Sequence, residues 1–337
     1  MNKTVLFYCN VKTKKQFSIQ GFYRTDIQIL KELGFQVKLS CHWYDFFKFL
    51  NYEIAFLYFY RFSLIPAVIS RFFHKKVFFT GGIDSLDEKY VGRKSFIIQA
   101  ILFKICNLFS HKSIIVSSSD LKNIQKIYRN KIPKNVILIP HCIDFDKYAF
   151  EFNTIKEPII TTICWMGRIE NVNRKGVDKV LNIFTLINKT LPEYKLYIIG
   201  SKGHGSLLLE DYICKNGLHS NVILTDALCE EDKIALLKRS KYYFQLSEYE
   251  GFGIGALEAL ASGNIVFHSG VGGLNEGIGP HGILIKDTSD TSKIENTFLN
   301  VDENYEIWKK NIPDQILHVK NNFSFNRRKN AIQLVLQ

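Results

Sequence analysis

Residues 247–263 read Ser-Glu-Tyr-Glu-Gly-Phe-Gly-Ile-Gly-Ala-Leu-Glu-Ala-Leu-Ala-Ser-Gly, with glutamates at 250 and 258 around a glycine-rich turn. The pattern predicts that a strand ends, that Gly251, Phe252 and Gly253 form the turn, and that a helix begins near Ile254. A helix start presents unpaired NH groups and a positive dipole end, which suits a phosphate. The glycines let the backbone approach such a ligand closely. Glu258 lies about one turn inside the helix, roughly 6 Å along its axis, within reach of a ribose carried on that phosphate. Glu250 precedes the turn and faces the other end of the ligand, where a sugar would sit. Without this setting, Glu258 would read as an exposed helix carboxylate and the pair as two groups for acid and base work.

Elements that would hold such a turn in place are spaced along the whole chain. Short apolar runs at residues 4–8, 37–40, 54–59, 77–80, 113–116 and 136–139 alternate with segments of helical spacing. These include residues 25–33, closed by Gly34, and 121–128, entered through Ser119 or Asp120. After an aperiodic stretch from His141 to Lys156, taken as a linker, further runs follow at 160–165, 195–199, 222–224, 242–246, 265–268 and 283–285. This rhythm predicts an α/β protein with two Rossmann-like, doubly wound domains facing a central cleft. The boundaries expected are 1–152, 153–318 and a C-terminal helix over 319–337 that could cross back.

The segment from Glu250 to Gly263 resembles the E-x7-E motif of glycosyltransferase family 4, whose members are retaining enzymes of the GT-B fold. Three further segments are similar in the same order: Gly167-Arg168 with Arg174-Lys175-Gly176, Gly272-Gly273-Leu274-Asn275-Glu276, and Ile139 to Asp144 between the domains. The resemblance implies that Arg168 and Lys175 hold the diphosphate of a nucleotide sugar, that Glu258 grips its ribose, and that Glu250 steadies the sugar. Gly167, Gly251, Phe252, Gly253, Ile254 and Glu276 would lie at the donor. It also implies transfer with retention and no essential metal or other cofactor. Lys202, in the glycine-rich loop 200–205, would add charge, while Arg174 reads as a solvated cation.

The first domain matches that family less well. The glycine pair after the first strand is missing, and Gly21, followed by Tyr23 and Arg24, is the nearby substitute on the acceptor side. Asp84, in Thr80-Gly81-Gly82-Ile83-Asp84, stands where relatives place a residue near the reacting sugar, and reads equally as a turn aspartate. Cys142 replaces a usual glycine, where a Cβ would resist a positive φ.

Charge divides the chain sharply. Residues 1–152 hold 23 Lys and Arg against 11 Asp and Glu, whereas 153–337 hold 21 of each. A polyanion is therefore expected at the first domain. No nucleic-acid module accompanies the charge, so the two readings of Arg71 to Lys76 and Arg93 to Lys112 are a membrane-facing patch and a core helix with basic ends. The seven scattered cysteines lack metal or disulfide spacing and read as reduced thiols. With no long apolar run and no leader, the expected place is the cytoplasm, with possible contact at the inner face of the membrane. The expected function is transfer of a sugar to a saccharide or lipid-linked saccharide in bacterial surface polysaccharide synthesis. The competing readings are a GT-B epimerase or inverting transferase, and a non-catalytic interaction module.

Overall fold

The computed structural model describes residues 3–83, 86–151 and 154–337. Contacts divide the chain into two units, Met1–Cys142 with Phe325–Gln337, and Ile143–Ser324.

The first unit carries six parallel strands, β1 (Thr4–Tyr8), β2 (Gln36–Ser40), β3 (Ile54–Tyr58), β4 (Lys76–Thr80), β5 (Lys112–Ile115) and β6 (Val136–Leu138), ordered β2-β1-β3-β4-β5-β6. The inner strands are apolar on both faces, as a parallel sheet covered by helices requires, while edge strand β2 exposes Gln36 and Lys38. Val5, Phe7 and Phe56 pack on one side with Ile332 of the terminal helix. Leu6, Leu57, Val77 and Phe79 pack on the other.

The second unit carries β7 (Glu157–Ile163), β8 (Lys195–Ile199), β9 (Val222–Leu224), β10 (Ser240–Gln245), β11 (Ile265–His268) and β12 (Ile283–Leu284), ordered β12-β11-β10-β7-β8-β9, again all parallel. Every apolar run singled out in the sequence forms a strand. Strand order reverses between β7 and β10, and the crevice beyond that switch point is where ligands bind in open α/β sheets.

Several boundaries differ from the sequence expectation, each for a packing reason. The aperiodic stretch after Pro140 contains a helical turn, Phe145–Tyr148, whose Tyr148 is buried in the second unit, so the division falls at Cys142 rather than at 152. Helix Ile312–Phe323 also belongs there, because the buried Gln315 Nε2 donates to the Leu260 and Asn264 carbonyls at 3.1 Å each. Only Phe325–Leu336 returns to the first unit. Helix Ser118–Ile127 is capped by Ser117, whose Oγ accepts from the Asp120 amide, ahead of the two cap residues expected. Cys142 has no positive φ, so its side chain costs no backbone strain.

The terminal helix is held by one buried cluster. Arg328 Nε and Nη2 donate to the Asp26 carboxylate at 2.7 and 2.8 Å, and Arg328 Nη1 donates to the carbonyls of Ile139 and Pro140. Tyr58 donates to the same aspartate at 2.5 Å. Burial opposes ionisation of Asp26, but the Arg328 charge and its hydrogen bonds prevail and hold the carboxyl below its ordinary value. Neighbouring His141 is pushed down to about 3, first by burial and then by Arg328, so it is neutral at physiological pH.

Candidate donor site in the second unit

Two chain segments leave the sheet at the switch point. From β7 the chain runs through Trp165 to Arg168 into the helix Ile169–Lys175, and from β10 through Ser247 to Gly253 into the helix Ile254–Ala261. Gly176, in the left-handed region, ends the first helix directly after Lys175.

Glu250 is the centre of a buried network. Its Oε2 accepts from Lys175 Nζ, from Gln245 Nε2 at 2.7 Å and from Ser247 Oγ at 3.4 Å, while Tyr243 OH donates to Gln245 Oε1 at 3.0 Å. Glu250 Oε1 has no protein partner among the described residues. Burial pushes the Glu250 pKa up, but the charges of Lys175 and Arg174 and the Lys175 and Gln245 hydrogen bonds outweigh it, so the net shift is downward. The carboxylate is therefore ionised at neutral pH, fixed through one oxygen, with the other available to a ligand.

Arg174 departs from its expected place. It is half-buried, and its Nη1 donates to the Tyr249 carbonyl at 3.2 Å while its own carbonyl accepts from the Glu248 amide, which ties the first segment to the second. Arg168 is exposed and its side chain makes no hydrogen bond or ion pair among the described residues.

The loop after β11 locks the turn from the other side. The Gly273 amide donates to the Glu250 carbonyl at 3.0 Å. Gly272 has φ +58°, and a Cβ there would lie 1.8 Å from that same carbonyl oxygen. Glycine is required at 272 by both conformation and space. Gly272→Ala is accordingly expected to cost about 1–3 kcal/mol and to displace Glu250, read as a lowered Tm together with weaker nucleotide-sugar binding.

Glu258, in the helix that starts at Ile254, is held more tightly than its spacing suggests. Tyr148 donates to Oε1 at 2.9 Å, and Lys233 Nζ donates to Oε1 and Oε2 at 2.8 Å each. Lys233 also lies over the Tyr148 ring, 5.2 Å from its centroid. The helix start carries no side-chain cap: Gly253 is its N-cap, buried against Leu274, with φ +88° and no side chain to satisfy the first amides.

The remaining expected residues distribute unevenly. The loop 200–205 lies against Gly167 and Arg168, since a Cβ on Gly203 would meet Gly167 Cα at 2.7 Å. Its Lys202 Nζ, however, pairs with Glu210 at 3.4 Å. Glu276 is half-buried in the short helix Leu274–Ile278, which packs on helix Ile254–Ala261. In the first unit, Gly21 begins helix Gly21–Glu32 and is exposed, as is Arg24. Tyr23 is instead core: its hydroxyl lies 2.9 Å from Cys9 Sγ and its ring meets Tyr58 edge to face, so it offers no open surface to an acceptor. Asp84 lies outside the described residues. Among the described residues no group of three or more His, Cys, Asp or Glu could hold a metal ion.

Residues 147–315, half of the chain and the part carrying this network, match the sequence profile of the family of glycosyl transferases group 1. The chain belongs to that family. A group 1 relative, the GDP-mannose:cellobiosyl-diphosphopolyprenol alpha-mannosyltransferase of Xanthomonas oryzae pv. oryzae, is 31% identical over 134 residues, covering 40% of this chain and 34% of the relative. The match thus spans about a third of that curated relative's length. Among solved structures, Anabaena HepE in complex with UDP and glucose has a TM-score of 0.78 at 13% identity, covering 99% of both chains. Sucrose-phosphate synthase of Thermosynechococcus elongatus has a TM-score of 0.77 at 14% identity, covering 99% of this chain and 98% of the other. These structural likenesses establish the GT-B fold for this group 1 chain.

Proposed function

We propose that the protein is a retaining glycosyltransferase that takes a sugar from a nucleotide diphosphate donor and passes it to a saccharide or lipid-linked saccharide in surface polysaccharide assembly. The observation that carries the reading is the Lys175–Glu250–Gln245 network set beside an uncapped helix start at the switch point. As the glycosidic bond breaks, negative charge grows on the departing diphosphate. Lys175, the exposed Arg168 and the amides after Gly253 supply preorganised positive charge for it, so the protein needs no metal ion for that task. Glu258 accepts the ribose hydroxyls, held in position by Tyr148 and Lys233. Glu250, ionised and with Oε1 unengaged, faces the sugar and steadies the positive charge that develops on it.

No general base is assigned to the protein. In retaining chemistry of this kind the leaving phosphate takes the acceptor's proton on the face it leaves. Support for a lipid-linked acceptor comes from the Xanthomonas relative, whose name specifies a diphosphopolyprenol. HepE, with bound UDP and glucose, and the GDP-mannose relative together define a donor panel.

The test is a thermal-shift screen of UDP- and GDP-sugars followed by NMR of the product. One donor is expected to raise the Tm and to yield a product of unchanged anomeric configuration. An inverted linkage, or no stabilisation by any nucleotide sugar, refutes the proposal.

A further inference from the structure

Two helices of the first unit are apolar on their outward as well as their inward sides. Helix Tyr60–Phe72 turns Ser63, Pro66, Ala67 and Ser70 inward and leaves Phe62, Ile65, Val68 and Phe72 exposed, the last at 76%. The inward hydroxyls are used: Ser63 Oγ donates to the Tyr58 carbonyl at 3.0 Å, and Ser70 Oγ lies 3.0 Å from Tyr52 OH. Helix Arg93–Phe109 buries Ala100, Phe103 and Cys106 together with Gln99 and Asn107, and still exposes Ile97, Ile98, Ile101 and Leu108. A helix folding only onto its own sheet would keep its outward side polar.

The two helices pack on each other through Tyr60 and Phe103, and helix Tyr60–Phe72 also packs on the 3-10 turn Trp43–Phe47, where Trp43, Tyr44 and Phe47 are exposed. All three elements cover the sheet face lined by Leu6, Leu57, Val77 and Phe79. Their outward sides carry exposed apolar residues on three neighbouring elements, the kind of grouping that marks an interaction surface.

Charge identifies the occupant. Residues 43–51, 60–72 and 93–109 contain six cations, Lys48, Arg61, Arg71, Arg93, Lys94 and Lys104, and a single acid, Asp45. Asp45 is already paired with Lys48. A second copy would bring the same cations against themselves, because a two-fold interface is self-complementary. Long basic side chains beside aromatic and aliphatic ones fit the boundary between anionic headgroups and acyl chains. None of the helices is long and apolar enough to cross a membrane among the described residues.

We infer that the outward face of Tyr60–Phe72, Arg93–Phe109 and the 43–51 turns docks the chain in-plane on an anionic lipid bilayer. The inference goes beyond the transfer reaction and does not rest on it, since binding is read without any sugar donor.

The experiment is co-sedimentation with vesicles of phosphatidylcholine, alone or mixed with phosphatidylglycerol. The wild-type chain is compared with Ile65→Ser/Phe72→Ser/Ile101→Ser and with Arg61→Gln/Arg71→Gln/Lys94→Gln/Lys104→Gln. All replaced side chains are exposed, and an unchanged Tm verifies that each variant is folded. Should the apolar triple not fold, Trp43→Ser/Leu50→Ser on the adjoining turns replaces it. The wild type is expected to bind the mixed vesicles and not the neutral ones, and each variant to lose about tenfold or more in partition coefficient. Failure of the wild type to bind the mixed vesicles, or wild-type partition in a folded variant, overturns the inference. So does a dimer in sedimentation velocity that the apolar replacements dissolve.

Discussion

Lys175→Ala is expected to lower sugar transfer by about 10²–10³-fold while leaving the chain folded, the scale set by removing one preorganised donor to developing negative charge. The lysine has two tasks, and both are lost together. In the proposed reaction it neutralises the leaving diphosphate, and in the structure it pairs with Glu250 and favours its ionised form. With Lys175 gone, burial acts on Glu250 opposed only by the Arg174 charge and the Gln245 hydrogen bond, so its pKa rises. The variant should therefore lose activity at a higher pH than wild type as acid is added, because Glu250 takes up its proton sooner. Lys175→Arg keeps charge but not the short reach, and is expected to restore the pH profile more than the rate. A pH–rate comparison of the three proteins checks this; identical profiles would separate Lys175 from Glu250.

Arg328→Ala should destabilise the first unit by about 3–5 kcal/mol, the cost of leaving a buried charge without its partner. Asp26 is completely buried and receives two bonds from that guanidinium, which also satisfies two carbonyls ahead of the division between the units. The lost contact also frees Phe325–Leu336, since Ile332 and Leu336 complete the apolar layer over β1 and β3. Because the folded pKa of Asp26 lies below its ordinary value of 3.8, the stabilisation is complete above that value and drains away as pH falls through the folded pKa. Denaturant titration of wild type and variant from neutral pH into acid should show their difference shrinking as pH falls, first as the unpaired Asp26 of the variant takes up a proton and then, below 3.8, as the wild type loses its ion pair.

The strands were legible because parallel strands buried on both faces are short uninterrupted apolar runs, and the glutamate pair was legible because glycines around it imply a backbone that comes close to something. Other features depend on contacts that spacing does not encode. Lys233 follows Glu230, Glu231 and Asp232 in a charged helix and looks like a solvated residue; only folding brings it to Glu258. Tyr148 hides in a stretch without period because its helix is a single turn. Tyr23 and Arg174 read as surface residues from their neighbours in sequence, and both are drawn in by partners far along the chain or across a turn. Helix Tyr60–Phe72 buries Ser63 and Ser70, which bond the Tyr58 carbonyl and the Tyr52 hydroxyl, and leaves Phe62, Ile65, Val68 and Phe72 outside, a division that composition does not reveal.

Whether the network in the second unit holds a nucleotide is best measured by calorimetric titration of UDP and GDP into the wild-type chain, Lys175→Ala and Glu258→Gln. One nucleotide is expected to bind the wild type at a single site, and each variant to lose about tenfold or more in affinity, since each removes a charged group proposed to bind the diphosphate or ribose. Wild-type affinity in both variants, with the proteins shown to be folded, would contradict the assignment of this site to the donor.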